Sequence, residues 1–216
     1  MHIFVDMDMK VKLDLENGTS LPLMEAFYTI QGEGFYSGTA AYFLRIGGCD
    51  VGCNWCDVKE SWDANIHPVT KIDNIIEDIK TYDVSNVVIT GGEPLMWNLG
   101  PLTSLLKENN YNIHLETSGF GSFTGEFDWI CLSPKKMQQS IPEIKLNANE
   151  LKVIVYNKHD LIWAEERRCE VNDKCKLYLQ PEWSKREKII PMIIDYIKIN
   201  KHWSISLQTH KYMNIP

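Results

Sequence analysis

Short apolar segments of strand length recur along the chain, and polar turns separate them. Their residues are mostly Val, Ile, Leu and aromatic, a composition that favours buried β-strands. The pattern predicts seven strands, over residues 41–46, 86–90, 112–116, 129–132, 150–155, 175–180 and 203–208.

Helical periodicity occurs between several of these segments. Isoleucines at spacings i, i+3, i+4 and i+7 predict one helix, with Thr70 as its N-cap. They are Ile72, Ile75, Ile76 and Ile79. A second helix is predicted over residues 99–108. Ser184 and Glu187 have the spacing of a capping box that opens a third helix, and Pro191 either kinks that helix or marks its true start.

The alternation of predicted strands and helices indicates βα units and a mainly parallel sheet. The units are too few for a closed eight-fold barrel. We therefore expect an α/β fold, a partial, open (βα) barrel, in a single domain over residues 1–216. Within residues 1–22, the alternating Val11, Leu13 and Leu15 predict an extended N-terminal arm with a turn at residues 17–18.

Composition limits the classes of function. The 216 residues carry 22 Lys+Arg against 29 Asp+Glu, a formal net charge of −7, which argues against an electrostatic nucleic-acid surface. No apolar run approaches the roughly 18 residues that suggest a membrane span. We expect a cytoplasmic protein that acts on a small molecule and binds neither nucleic acid nor membrane.

Polar residues follow the predicted strands at six of their carboxyl ends. In βα folds the reactive groups come from these ends, so we expect the six to share one rim. They are residue 45 with the cysteine loop after it, and residues 90–93, 116–119, 133–135, 180–182 and 208–210.

Three cysteines, Cys49, Cys53 and Cys56, have a C-x3-C-x2-C spacing after the first of these strands. Three thiolates on one loop can hold three irons of a [4Fe–4S] cluster. Because such clusters usually take four cysteines, one iron is left open, and the amino and carboxylate groups of S-adenosylmethionine can bind it. The glycine pair ending in Gly92 lets the backbone approach a ligand, and Glu93 offers a carboxylate to a ligand ammonium.

Other interpretations of the cysteines stay open at this point. The three thiols and His67 could form a closed tetrahedral zinc site, although no second ligand pair stands at zinc-finger spacing. Residues 53–56 alone would be a weak redox C-x-x-C motif. Six cysteines in 216 residues are too sparse for a disulfide scaffold. Cys131 is predicted to lie in the core, and Cys169 and Cys175 to be structural or free thiols.

These motifs resemble the radical SAM family, and within it the synthases that make 7-carboxy-7-deazaguanine in queuosine biosynthesis. The resemblance covers most of the chain, including residues 27–34, 90–94, 116–119, 133–135, 149–153 and 207–216. Residues 28–34 and 208–216 discriminate it from the activating enzymes of glycyl-radical systems, which share the cysteine loop and the glycine–glycine–glutamate element. Such an activating enzyme is the alternative, and a zinc-stabilised binding module without catalysis is a remote one.

The resemblance implies a lyase that contracts the ring of 6-carboxy-5,6,7,8-tetrahydropterin to 7-carboxy-7-deazaguanine with loss of ammonia. A reduced [4Fe–4S] cluster and S-adenosylmethionine would provide a 5′-deoxyadenosyl radical that takes a hydrogen atom from C6 of the pterin and later returns it. An electron donor such as a flavodoxin or ferredoxin is implied, and a homodimer is expected.

The resemblance also assigns roles to residues. Cys49, Cys53 and Cys56 are the cluster ligands. The S-adenosylmethionine site is assigned to Gly92, Glu93, Ser133, Pro134, Lys135, Gln180, Pro181, Glu182 and Trp183. The substrate site is assigned to Ile30, Gln31, Gly32, Arg45, Thr90 and Pro216. Glu116 and His210 are candidate catalytic residues; alternatively, Glu116 is a strand-end charge and His210 locks the C-terminal tail.

Magnesium is the point at which the chain departs from the family pattern. Family members hold Mg²⁺ partly through a Ser or Thr hydroxyl two residues after the last cluster cysteine. Here that residue is Val58, whose side chain has no donor atom. Because Mg²⁺ prefers an octahedral shell of oxygens that keeps several waters, Asp57, the substrate or water is left to bind it.

Overall fold

The computed structural model describes residues 8–216. The strands are β1 (Ser20–Ile30), β2 (Ala40–Ile46), β3 (Val69–Lys71), β4 (Asn86–Gly91), β5 (Asn112–Thr117), β6 (Trp129–Leu132), β7 (Glu150–Val155), β8 (Lys176–Pro181) and β9 (Trp203–Ile205). The helices are α1 (Met9–Glu16), α2 (Ile72–Ile79), α3 (Gly100–Glu108), α4 (Pro142–Asn147), α5 (His159–Arg168), α6 (Arg186–Ile199) and α7 (Thr209–Met213).

The sheet is mainly parallel and open. Within residues 8–216 its order is β3-β1-β2-β4-β5-β6-β7-β8-β9. The strands β2 and β4 to β9 run parallel to one another, whereas β1 is antiparallel to both β2 and β3. The described strands β3 and β9 are the two edges, so the sheet does not close. The predicted α/β fold, a partial, open (βα) barrel, is confirmed.

Side chains alternate between the two faces of the parallel strands. Leu44 of β2 and Ile89 of β4 are buried in the main core, which also contains Leu102 of α3. Phe43 and Val88, one residue earlier on the same two strands, belong to a separate small cluster. The strands therefore bury one face under helices and turn the other face towards a cleft.

The helix predicted from the isoleucine spacing is confirmed as α2, and all four isoleucines are buried. Thr70 is not its N-cap, because Thr70 lies in β3 and its hydroxyl donates to the carbonyl of Pro68. Lys71 precedes the helix and makes no side-chain capping bond. No helix within residues 8–216 is long and apolar enough to cross a membrane.

An extended arm is predicted over residues 1–22. This prediction is wrong for the described residues that precede the turn at residues 17–18. Met9–Glu16 form a helix, which Asp8 caps by accepting a hydrogen bond from the backbone N–H of Lys10. Residues 1–7 lie outside the described part. The predicted turn at residues 17–18 is present, with Gly18 at φ +72°.

Two predictions near the C-terminus are also corrected. The last strand ends at Ile205, three residues before the predicted end, because the chain turns there towards α7. Ser184 and Glu187 do not form a capping box: the carboxylate of Glu182 accepts from the backbone N–H and the hydroxyl of Ser184 instead. Helix α6 starts at Arg186 and continues through Pro191, which does not mark its start.

Candidate active site

A cleft of about 270 Å³ lies at the carboxyl ends of the parallel strands. All of the residues predicted for the site line it except Pro134, which lines a smaller neighbouring cavity. The lining residues that were predicted are Ile30, Gln31, Gly32, Arg45, Cys49, Cys53, Cys56, Asp57, Thr90, Gly92, Glu93, Glu116, Ser133, Lys135, Gln180, Pro181, Glu182, Trp183, His210 and Pro216. The polar strand ends therefore do share one rim.

The cysteine loop is held against the backbone that follows it. The N–H of Gly48 donates to the carbonyl of Ser61 at 2.6 Å, and the N–H of Cys49 donates to that of Trp62 at 3.1 Å. Gly48 and Gly52 have φ values of +102° and +69°, which glycine adopts without strain. These contacts fold the loop so that its three thiols line one cleft.

The three thiols are unpaired and partly withdrawn from solvent. Burial raises the pKa of Cys49 to about 11 and also raises the pKa of Cys53. The Sγ atom of Cys56 accepts a hydrogen bond from the indole of Trp62 at 3.4 Å. Cys49 and Cys53 are therefore held as protonated thiols, which metal binding would deprotonate.

The zinc alternative finds no support in the geometry. Among residues 8–216, no three His, Cys, Asp or Glu side chains are gathered as ligands of a single metal ion. His67 is occupied elsewhere, since its Nε2 lies 2.8 Å from the carbonyl oxygen of Glu60. Three thiols spread around a cleft suit a cluster of several irons better than one tetrahedral ion.

Gly91, the last residue of β4, and Gly92, which follows it, allow close packing of the backbone. A Cβ atom on Gly91 would lie 2.3 Å from the backbone of Ile46, and one on Gly92 would lie 2.3 Å from the carbonyl oxygen of Gly48. The N–H of Glu93 also donates to Gly48, at 2.8 Å. Gly91 thus approaches the backbone of β2 and Gly92 approaches the cysteine loop, and the approach of Gly92 to a ligand stays a prediction.

Glu93 is buried, and residues at the end of β5 and just after Glu93 itself donate to its carboxylate. Oε1 accepts from the hydroxyl of Thr117 at 2.5 Å and from the N–H of Leu95 at 3.1 Å, and Oε2 accepts from both the N–H and the hydroxyl of Ser118. Burial raises the pKa of Glu93, against these hydrogen bonds. Glu93 thus ties the glycine turn to the end of β5, in addition to lining the cleft.

The predicted cofactor residues at the ends of β6 and β8 also line the cleft. In the sheet order, β5 separates these strands from β4 and its glycine turn. The ammonium of Lys135 donates to the carbonyl and hydroxyl of Ser133, at 2.5 and 2.7 Å, and lies over the ring of Trp55. Burial lowers the pKa of Lys135. The ring of Trp183 carries the guanidinium of Arg186 at 4.1 Å from its centroid.

Arg45 keeps its predicted position but has a protein partner. Its Nη1 pairs with Oε1 of Glu25 at 2.7 Å, and its guanidinium lies 5.2 Å from the ring centroid of Phe27. Both contacts hold the side chain along the cleft wall, so that the planar group is pre-oriented.

Sequence reasoning assigned no role to two charged residues of the cleft, Glu33 and Lys152; Gln208, at a predicted strand end, lines it as expected. Lys152 is buried on β7 and pairs with Glu33 at 2.5 Å. Although burial alone would raise it, the charge and hydrogen bond of Lys152 and the amide of Gln208 lower the pKa of Glu33 to about 2. The available signal was a lone lysine inside the apolar run Leu151 to Val153.

The C-terminal segment returns to the cleft. Lys211 donates to Oδ2 of Asp57 at 2.6 Å. Burial alone would raise the pKa of Asp57, but this contact outweighs it and the pKa is lowered. His210 packs on Gly32 so closely that a Cβ there would lie 2.2 Å from its Nδ1, and burial lowers the pKa of His210. Pro216 itself lines the cleft.

The chain is similar to known proteins over most of its length. A model of the Radical SAM superfamily matches residues 44–126. A 7-carboxy-7-deazaguanine synthase of Flavobacterium psychrophilum is 56% identical over 96% of this chain and 98% of that protein. A 7-carboxy-7-deazaguanine synthase of Synechocystis is 45% identical over 91% of this chain and 94% of that protein. The crystal structure of QueE from Escherichia coli superposes with a TM-score of 0.79, at 29% identity, over 90% of this chain and 96% of that one.

Proposed function

The chain belongs to the 7-carboxy-7-deazaguanine synthases of the radical SAM superfamily, and we propose how its cleft performs the reaction of that family. It is a radical SAM lyase of queuosine biosynthesis. The substrate that we assign to it is 6-carboxy-5,6,7,8-tetrahydropterin, which loses ammonia as its ring contracts. The observation that carries this proposal is the convergence of three free thiols and the polar strand ends on one cleft.

The donor set of the loop fits a [4Fe–4S] cluster with one open iron. Cys49, Cys53 and Cys56 are three soft ligands from one loop, and they line the same cleft as the residues assigned to S-adenosylmethionine. When bound, the cluster and S-adenosylmethionine supply the radical that removes a hydrogen atom from the pterin. The contribution of the chain is to hold the two small molecules against each other and to exclude water.

We assign the S-adenosylmethionine site to the turn at Gly92 and to the loops after β6 and β8. The backbone at Gly92 has no Cβ and lies beside the cysteine loop, where the methionine moiety would sit. Buried Gln180 at the end of β8 and half-buried Lys135 after β6 are polar groups suited to the rest of the molecule. This arrangement leaves the space between β1, β5 and the C-terminus for the pterin.

In that space, the side chains match the chemistry of the pterin. Arg45 is a pre-oriented cation for the substrate carboxylate, and Glu116 is an acceptor for the N–H groups of the ring. Thr90, Pro216 and the backbone at Ile30 to Gly32 border the same space. Half-buried His210 closes this end of the cleft beside Gly32.

We further propose that Mg²⁺ contributes weakly in this chain. Val58 lines the cleft without a donor atom, and the carboxylate of Asp57 is already bound by Lys211 and Gln208. An external one-electron donor such as a flavodoxin or ferredoxin and a homodimeric state complete the proposal.

The test is an anaerobic assay with the carboxypterin, S-adenosylmethionine and a reductant, read by mass spectrometry. The reconstituted protein should release 7-carboxy-7-deazaguanine and ammonia. Cys53→Ala should lose both cluster and product, because two thiolates cannot hold three irons, whereas Cys169→Ala, outside the cleft, should keep both. Full iron content in Cys53→Ala, or no product from a cluster-replete protein, would contradict the proposal.

A further inference from the structure

Lys152 is the most deeply buried cation of the cleft that the proposed reaction leaves without a role. It stands on β7 with a side chain only 4% exposed. A buried ammonium loses its hydration, so the surrounding groups must compensate for its charge.

Two carboxylates of the cleft meet at this ammonium. Nζ of Lys152 lies 2.5 Å from Oε2 of Glu33 and 3.6 Å from Oε2 of Glu116. The other oxygen of each carboxylate accepts from an amide: Gln208 donates to Oε1 of Glu33 at 2.9 Å, and Gln31 donates to Oε1 of Glu116 at 2.8 Å. Each carboxylate is therefore fixed from both sides.

These contacts connect parts of the sheet whose strands are not neighbours. Gln31 and Glu33 follow β1, Glu116 is on β5, Lys152 is on β7, and Gln208 follows β9. In the sheet order, β1 lies next to one edge and β9 is the other edge. Lys152 thus ties the loop after β1 to the far half of an open sheet.

The same loop is anchored to that half by further buried groups. The N–H of Gly34 donates to the hydroxyl of Ser206 at 2.9 Å, and the N–H of Phe35 donates to Glu150 at 3.1 Å. The carbonyl of Gly32 accepts from Thr209 at 2.9 Å. Residues 31–35 are therefore a strap across the cleft, and Lys152 is its one cationic anchor among these contacts.

The charges that face Lys152 come from three elements. They are the carboxylates of Glu33 on the strap, Glu116 on β5 and Glu150 on its own strand β7, and the neutral thiol of Cys131 on β6 lies beside them. Without the ammonium, two carboxylates that share one small space would repel each other and lose their orienting partner.

We propose that Lys152 is a positioning residue for the pterin: it holds Glu33 and Glu116 at a fixed separation, so that Gln31, Gly32 and Glu116 form a preformed wall of the substrate site. This inference rests on the proposed function, because that function places the pterin against these residues. It adds a residue that contacts no reacting atom and acts through the two carboxylates.

The first test is Lys152→Met, with Lys152→Arg as the conservative variant and Lys145→Met as the matched control. Lys145 is also a partly buried lysine in an ion pair, with Glu170 at 2.7 Å, but it lies outside the cleft. Each variant is reconstituted with its cluster, and kcat and KM for the carboxypterin are measured beside iron content and the effect of S-adenosylmethionine on the spectrum of the cluster.

We expect Lys152→Met to lower kcat/KM for the pterin on the order of a hundredfold, the scale for breaking a buried pair, with a raised KM. Iron content and the response to S-adenosylmethionine should stay normal. Lys152→Arg should recover most of the loss, and Lys145→Met should match the unmodified enzyme. Unchanged kcat/KM and KM in Lys152→Met would overturn the proposal, whereas absence of turnover in the unmodified, cluster-replete enzyme would instead overturn the proposed function.

A second variant separates positioning from folding if Lys152→Met is unstable. Lys152→Met with Glu33→Gln removes both buried charges, so the free energy of unfolding should recover towards that of the unmodified enzyme. A positioning role predicts that kcat/KM stays low in this stable double variant. Recovery of both stability and kcat/KM would show that Lys152 serves folding only and would overturn the proposal.

Discussion

The Cα atom of Gly92 lies so close to Gly48 that a Cβ added to it would be 2.3 Å from the Gly48 carbonyl oxygen and 3.0 Å from Cβ of Cys49. The turn after β4 and the cysteine loop after β2 are therefore fitted against each other through backbone. A backbone carbonyl cannot move aside as a flexible side chain can, so this contact fixes the position of Cys49, the first of the proposed cluster ligands.

Gly92→Ala should displace the cysteine loop and lower the iron content after reconstitution, with turnover falling at least in proportion. Gly100→Ala is the control, because the nearest neighbour of its Cβ would be the side-chain oxygen of Asn98 at 3.2 Å, at the start of α3. Iron analysis and visible absorbance measure the effect. Normal iron content and turnover in Gly92→Ala would show that the two loops are not coupled.

The C-terminus supplies a second prediction. Pro216 lines the cleft, so we expect its backbone oxygen to accept a hydrogen bond from the N–H edge of the pterin. A hydrogen bond to a backbone oxygen contributes about 0.5–1.5 kcal/mol, so deleting Pro216 should lower kcat/KM for the pterin about twofold to tenfold. A short tag at the C-terminus should do the same, while the same tag at the N-terminus should not. S-adenosylmethionine binding should persist, and an unaffected kcat/KM in the C-terminally tagged enzyme would refute the assignment.

Magnesium response is the third prediction. Because Val58 offers no oxygen and Asp57 is engaged by Lys211, Mg²⁺ should activate the unmodified enzyme only weakly. Val58→Thr places a hydroxyl on the cleft wall and should strengthen the activation, while Val58→Ala should leave it weak. Titration of turnover with Mg²⁺ after chelation measures this. Near-absolute Mg²⁺ dependence of the unmodified enzyme would mean that Asp57 or the substrate holds the metal.

A fourth prediction concerns stability and pH. Glu165 accepts hydrogen bonds from Trp203, Tyr196, His202 and Arg168, at 2.7 to 3.1 Å. Although its partial burial opposes this, these bonds lower the pKa of Glu165 from 4.5 to about 2. A depressed folded-state pKa stabilises the protein above the unfolded-state value, and the stabilisation is lost as the pH falls from about 4.5 through about 2.

Glu165→Gln should therefore lower the free energy of unfolding by about 1 kcal/mol at pH 7, and the difference from the unmodified protein should shrink as the pH falls towards 2. Denaturant unfolding at a series of pH values measures both. Glu166→Gln is the control. The side chain of Glu166 is 58% exposed, and its carboxylate makes only a 3.6 Å contact with Arg167. A pH-independent difference would contradict the assignment of the shift to Glu165.

The parallel strands and the cysteine loop could be predicted because their signals are local. Each parallel strand is a short apolar run with a polar end, and the cysteines stand within eight residues of one another. Helix α1 was mistaken for an extended arm because Val11, Leu13 and Leu15 alternate like a strand, while its helical start depends on the cap at Asp8. Pro22 and Glu25 interrupt the apolar pattern of β1, so the sequence does not predict this strand. It forms because it pairs with β2 and β3.

The anchoring residues of the cleft could not be predicted for a different reason. Lys152 and Gln208 both contact Glu33, although they lie 119 and 175 positions from it in the sequence. No spacing rule connects such positions, and the pairing exists only because an open sheet brings its two halves to one cleft. The local sequence showed a charge in an apolar strand, and only the fold showed its partners.

The central claim is that this cleft places a radical against C6 of a carboxypterin. The most direct measurement is turnover of the pterin deuterated at C6, with S-adenosylmethionine limiting, followed by mass spectrometry of both small molecules. We predict several molecules of 7-carboxy-7-deazaguanine per molecule of S-adenosylmethionine supplied, with deuterium passing into the 5′ position of the recovered S-adenosylmethionine. Turnover without transfer of deuterium, or one S-adenosylmethionine consumed for each product, would contradict the account.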